Sequence, residues 1–192
     1  MKMSKAEMLN KTASSNDSNP NQIIKTLSLR PGHFIADIGS GGGYFSLRFA
    51  DSVGSKGKVY AVDVNPNFLG MIRNSADEKG LRNIETRTAS EDSVDLPENT
   101  FDLIFARNVF HHLPDRVEYF KNLKKSLKNK GKIAIVEHKK GSFFNFRWLF
   151  GHYVDKKVIS KEMKQAGYSV DNEFDFLKNQ SFTIFSLDEN KR

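Results

Sequence analysis

Ile35-Ala36-Asp37-Ile38-Gly39-Ser40-Gly41-Gly42-Gly43-Tyr44-Phe45-Ser46 joins an apolar run to five small residues, four of them glycine, and then to a helix-like pattern. This reads as strand, tight turn, helix, with the glycines at the carboxyl end of the strand. Glycine there lets the backbone take positive φ and lets a ligand approach the main chain. The following helix points its unpaired N–H groups at the same space. The stretch therefore predicts a small-molecule pocket.

Spacing narrows the ligand. A dinucleotide fingerprint G-x-G-x-x-G/A begun at Gly39 and Gly41 wants a small residue at position 44, which is Tyr44. A phosphate loop wants a Lys after the glycines, and none follows. Asp37 inside the strand end disfavours a pyrophosphate and favours a ligand with a cationic group. Asp63 closes the next strand, where a carboxylate can accept both hydroxyls of a ribose.

Outward from the turn, strand and helix alternate. A short apolar stripe, Ile23, Ile24 and Leu27, follows Asn19-Pro20, and Arg30-Pro31-Gly32 breaks it before a strand over 33–38. Phe45, Leu47 and Phe49 lie in a helix ending near Val53-Gly54. Strands follow over Lys58–Asp63, weakly over Asn83–Arg87, over Leu103–Ala106 ending in Arg107-Asn108, and over Lys132–Glu137. Helices lie between them: Asn65-Pro66 opens one with Leu69, Ile72 and Ala76 in register, and Gly80 stops it. Asp115 with Glu118 opens another, whose stripe runs Val117, Phe120, Leu123, Leu127 and which Gly131 ends. A helix over Ser160–Ala166 precedes two β-rich runs, Ser169–Leu177 and Ser181–Leu187, read as an antiparallel pair. The expected architecture is α/β: a doubly wound, mostly parallel seven-stranded sheet with an antiparallel C-terminal pair. Residues 1–18 read as a polar, mobile lead-in, and 19–192 as a single domain.

The length of 192 residues suits one domain with a real core. No apolar run nears the ~18 residues of a membrane span. Met1-Lys2-Met3-Ser4-Lys5 leads into a polar segment, so secretion is not expected, and zero Cys removes disulfides and thiolate chemistry. A cytoplasmic location is expected. The net charge of +7 is uneven: residues 121–164 hold 13 of 30 Lys and Arg but 3 of 23 Asp and Glu. Such a region either attracts anions or keeps helix faces hydrated.

The residues Asp37-Ile38-Gly39-Ser40-Gly41-Gly42-Gly43, Asp63, Asn99-Thr100-Phe101-Asp102-Leu103-Ile104 and Arg107-Asn108-Val109-Phe110-His111-His112-Leu113 stand in order. Together they resemble the motifs of class I S-adenosylmethionine-dependent methyltransferases, in particular the quinone-biosynthesis-like and "type 11" group. The resemblance runs from about residue 20 to the end. It implies a Rossmann-like methyltransferase fold and S-adenosylmethionine as cofactor. It implies that Gly39, Ser40, Gly41 and Gly43 line the methionine part, with Asp37 near its amino group. Asp63 would hold the ribose and Val64 flank the adenine. Relatives place an Asp where Ser90 stands, so the adenine contact stays open between Ser90, the Glu91 side chain and the Glu91 backbone N–H. Arg107 falls where relatives often touch the cofactor.

The sulfonium is already activated, so in-line positioning can supply ~7–11 kcal/mol of the barrier. A general base adds ~10²–10⁴-fold where one operates. His111 or His112 is the candidate. Neighbouring helical residues do not face one point, and analogy with relatives favours His111. No i, i+4 partner accompanies the pair, so no metal is expected.

The segment 138–159 mixes aromatics with cations and follows the fifth strand, where it would cover the acceptor. A small-molecule acceptor, anionic and aromatic or lipid-like, fits it. A surface helix, a membrane-touching lid and an RNA contact fit the same composition. The alternatives are an RNA or protein methyltransferase using 121–164, or a cofactor-binding protein without transferase activity. A monomer or homodimer suits each reading.

Overall fold

The computed structural model describes residues 3–139 and 153–188. The chain forms two compact units, Met1–Ser90 and Glu91–Arg192.

In the first unit, three apolar runs become the parallel strands β1 (Phe34–Ile38), β2 (Lys58–Asp63) and β3 (Ile84–Thr88), paired in the order β3-β2-β1. β2 is buried from Val59 through Asp63, as a strand covered on both faces requires. Helix α3 (Tyr44–Val53) follows the glycine turn, and α4 (Pro66–Glu78) starts at the Asn65 cap, whose side chain accepts from Asn67 N at 3.0 Å. Leu69 and Ile72 of α4 pack on Ala61, with Ile84 against them. Burying Leu69 and Ile72 contributes about 1.5–3 kcal/mol each.

Residues 1–18, expected as a mobile lead-in, include a helix. α1 (Lys5–Ala13) opens with a reciprocal capping box in which Glu7 N donates to Ser4 Oγ at 3.2 Å and Ser4 N to Glu7 Oε2 at 2.7 Å. α2 (Pro20–Thr26) carries Pro20 in its first turn, but Asn19 makes no side-chain cap and sits at φ 41°.

In the second unit, β4 (Phe101–Arg107) and β5 (Leu127–His138) are parallel, and α5 (Arg116–Leu123) lies between them in sequence. β7 (Gln180–Leu187) runs antiparallel to β5, and β6 (Tyr168–Phe174) antiparallel to β7, after helix α6 (Lys156–Gln165). The strand order is β3-β2-β1 in the first unit and β4-β5-β7-β6 in the second: seven strands, mostly parallel, with the expected antiparallel C-terminal pair. Phe101, Phe105, Phe120, Phe182 and Phe185 are fully buried.

The largest departure from the expected boundaries is at the start of β5. The helix expected to run through Leu127 to Gly131 ends at Leu123, and Leu127 already belongs to β5. Phe101 pairs with Leu127 and Leu103 with Lys132, so β5 bulges between them. Gly131 is therefore no helix stop. A Cβ there would lie 2.6 Å from the Phe101 carbonyl and 3.0 Å from that of Lys128. Gly131→Ala should lower stability by about 1–3 kcal/mol, because backbone has to move to admit the methyl group. Urea unfolding, with the midpoint lowered and the slope unchanged, checks it.

Candidate functional site

The glycine turn is built from backbone ties. Gly39, Gly41 and Gly43 have φ of 67°, 54° and 83°. Ser40 N donates to Val62 O and Gly43 N to Ser40 O, both at 2.9 Å. At Gly43 a Cβ would meet Ile72 Cγ1 at 2.5 Å, so packing as well as φ requires glycine.

Asp63 joins this turn to the end of β2. Its Oδ2 accepts from Gly41 N at 2.8 Å and its Oδ1 from Asn65 N at 2.9 Å. An ionised carboxylate has about four lone-pair sites, so each oxygen can accept one more donor. Such an arrangement suits the two neighbouring hydroxyls of a ribose. Val64, next in sequence, is 52% exposed and offers an apolar surface beside them. Asp37 is 3% exposed, and Ser46 Oγ donates to its Oδ2. Ser40 Oγ is buried without a hydrogen-bond partner. A buried hydroxyl left so is costly unless a ligand meets it. These features fit a nucleoside ligand that also carries polar and cationic groups. Ser90 and Glu91 lie exposed in the loop after β3, whose Ala89 N donates to Asp63 O at 3.1 Å.

In the second unit, Arg107 ends β4 opposite Val136. Asn108 turns the chain out of the strand at φ 54°, a conformation asparagine tolerates. Its N–H donates to Val136 O at 2.8 Å, and its Oδ1 accepts from the buried Gln180 Nε2 at 2.6 Å. The short turn Phe110–His112 follows. Phe110 anchors it, stacked on Phe120 at 5.3 Å, with the Arg116 guanidinium over the Phe110 ring at 5.4 Å. Arg116 is held by a two-pronged pair with Glu162, at 2.6 and 2.8 Å, which raises its pKa above the ordinary guanidinium value.

The turn gives the two histidines different exposure. His112 is exposed. The His111 side chain is 6% exposed, and its Nδ1 lies 3.0 Å from Oε1 of the wholly buried Glu137. Glu137 also accepts from His111 N at 3.3 Å and His138 N at 2.7 Å. An ionised carboxylate only accepts, so this contact calls for the tautomer with its proton on Nδ1, which leaves the lone pair on Nε2. Among the described residues no group of three His, Asp or Glu side chains is arranged to hold a metal.

Two contributors escape a reading of the sequence. Glu137 reads there only as the end of a strand; an acid closing an apolar run is the one signal it gives. Asn10 gives none, yet its Nδ2 donates to Gly42 O at 2.8 Å and its Oδ1 accepts from Tyr44 N at 3.1 Å. Most of the expected acceptor-covering segment 138–159 lies outside the described residues.

Residues 30–180 match the family described as "Methyltransferase domain". The chain belongs to that family. Among the relatives of this methyltransferase domain is the uncharacterized methyltransferase YcgJ of Bacillus subtilis, 29% identical over 116 residues, covering 60% of this chain and 45% of the relative. Another is the ubiquinone/menaquinone biosynthesis C-methyltransferase UbiE of a Shewanella species, 28% identical over 139 residues, covering 72% of this chain and 55% of that one. The chain spans about half the length of these curated relatives. The crystal structure of a SAM-dependent methyltransferase from Aquifex aeolicus superposes with a TM-score of 0.82 at 24% identity, over 96% of this chain and 98% of that one. At that identity the likeness carries the fold, a Rossmann-like methyltransferase fold.

Proposed function

We propose that this methyltransferase domain binds S-adenosylmethionine at the glycine turn and methylates a small-molecule or lipid-like acceptor. The tie of Asp63 to Gly41 carries the reading: it sets a ribose-accepting carboxylate against the turn and leaves one acceptor site on each oxygen. Asp63 holds the ribose, Val64 borders the adenine, and Gly39, Ser40, Gly41 and Gly43 line the methionine part with Asp37 near its amino group. Ser90 or Glu91 meets the adenine edge, and Arg107 belongs to the same binding set. Bound there, the cofactor supplies a sulfonium methyl group for in-line transfer to a nucleophile.

His111 takes the proton from the acceptor hydroxyl or enol on Nε2. Glu137 fixes the ring by holding Nδ1–H, as the 3.0 Å contact supports. His112 stands beside it with ring centroids 4.0 Å apart and is the second candidate for the base.

The UbiE relative, named for ubiquinone and menaquinone biosynthesis, supports a quinol-type ring as acceptor. The charge distribution supports a small molecule over RNA. Lys121, Lys125, Lys128, Lys132 and Lys156 are each within 4 Å of an acidic side chain, which reduces the charge they offer a phosphate backbone. No helix among the described residues is long and apolar enough to cross a membrane.

Incubation with methyl-labelled cofactor, demethylmenaquinol and total RNA tests the assignment. Label is expected in the quinol fraction. Label in RNA alone overturns the small-molecule reading, and cofactor binding without any transfer overturns the enzymatic one.

A further inference from the structure

We propose that Asn10 is a positioning residue for the cofactor, latching α1 onto the glycine turn so that docking of α1 and occupancy of the turn are coupled. The inference rests on the assignment of the turn to S-adenosylmethionine.

The latch begins with a missing cap. α3 starts from Gly43, which has no side chain to satisfy the first N–H groups of the helix. Asn10 supplies that cap from another helix. Its Oδ1 accepts from Tyr44 N at 3.1 Å while its Nδ2 donates to Gly42 O at 2.8 Å, so one amide grips both ends of the Gly42-Gly43-Tyr44 corner. The fit is close. A Cβ on Gly42 would lie 2.4 Å from Asn10 Oδ1 and 2.5 Å from Ala6 O, and a Cβ on Gly41 would lie 3.2 Å from Leu9 Cδ1. The Gly41 covered by Leu9 is the same residue whose N–H is tied to Asp63.

The rest of α1 is held lightly. Only Ala6 and Ala13 of the helix are buried, whereas Met8 and Leu9 are exposed. A nine-residue helix with so little apolar burial depends on its specific polar ties, and such elements open at low free-energy cost. A ligand that needs the turn in its docked geometry then favours docked α1. By reciprocity, loss of the latch weakens the ligand by the factor by which the ligand stabilises the helix.

The test uses the full chain and S-adenosylhomocysteine as probe. Asn10→Ala should weaken binding about tenfold, consistent with loss of one cap and one hydrogen bond. KM for S-adenosylmethionine should rise with kcat unchanged. Asn10→Asp, which keeps the acceptor for Tyr44 N but sets a carboxylate oxygen against Gly42 O, should weaken binding as well. In the wild-type chain the probe should slow hydrogen exchange at the amides of residues 9–13, a change that a purely structural role of Asn10 does not produce. Binding by Asn10→Ala within twofold of wild type overturns the latch, as does α1 exchange that ignores the probe. Failure of the wild-type chain to bind the probe overturns the cofactor assignment itself and is thereby distinguished from failure of the latch.

Discussion

Asp63→Ala is expected to weaken S-adenosylhomocysteine binding by about 10²–10³-fold, the largest loss from any single cofactor-site side chain. Two hydrogen bonds to a charged acceptor disappear with the carboxylate, each contributing about 1.5–3 kcal/mol. Tenfold in affinity corresponds to about 1.4 kcal/mol, so the lower part of that range already gives two decades. The substitution also removes the acceptor of Gly41 N and Asn65 N, loosening the turn that the methionine part would use. Asp63→Asn separates these effects. It keeps the volume and one acceptor oxygen, so it should retain more of the fold's stability than of the affinity. Calorimetric titration well below each variant's unfolding midpoint reads the affinity on folded protein. Binding by Asp63→Ala within tenfold of wild type contradicts the ribose assignment.

The second large effect is kinetic. His111→Ala should lower kcat by about 10²–10⁴-fold with KM for S-adenosylmethionine unchanged, because a base acts on the acceptor's proton and not on cofactor affinity. Glu137→Gln should lower kcat as well, for a reason visible in the hydrogen bonds. Three N–H groups, those of His111 Nδ1, His111 N and His138 N, converge on one buried carboxylate. An amide offers one acceptor atom and turns an NH₂ group toward at least one of them, so the ring loses its fixed orientation. His112→Ala should cost much less, since His112 is exposed. Full turnover by both His111→Ala and Glu137→Gln at saturating cofactor rules this pair out as the base.

The parts of the fold legible in the sequence are those set by short-range spacing. The glycine turn, the acid at the end of each of the first two strands, the Asn65-Pro66 helix start and the antiparallel closing pair all announce themselves within a few residues. The β5 start was hidden because Leu127 continues the helical stripe of Val117, Phe120 and Leu123, while Gly131 imitates a helix stop. What requires that glycine is the Phe101 carbonyl, thirty residues earlier in the chain. Asn10 and Glu137 were hidden for the same physical reason. Asn10 meets Gly42 from 32 residues away and Glu137 meets His111 from 26, and neither periodicity nor a cap signal marks a contact made across that distance. In the sequence His111 is favoured over His112 only by analogy with relatives; a physical reason for that choice needs the turn that buries one ring and exposes the other.

Titration calorimetry of the intact chain with S-adenosylhomocysteine and, separately, with NAD tests the central claim most directly. The turn geometry, with Tyr44 where a dinucleotide site wants a small residue and Asp63 holding Gly41, predicts binding of the sulfur nucleoside and none of NAD. Binding of NAD without binding of S-adenosylhomocysteine would contradict it.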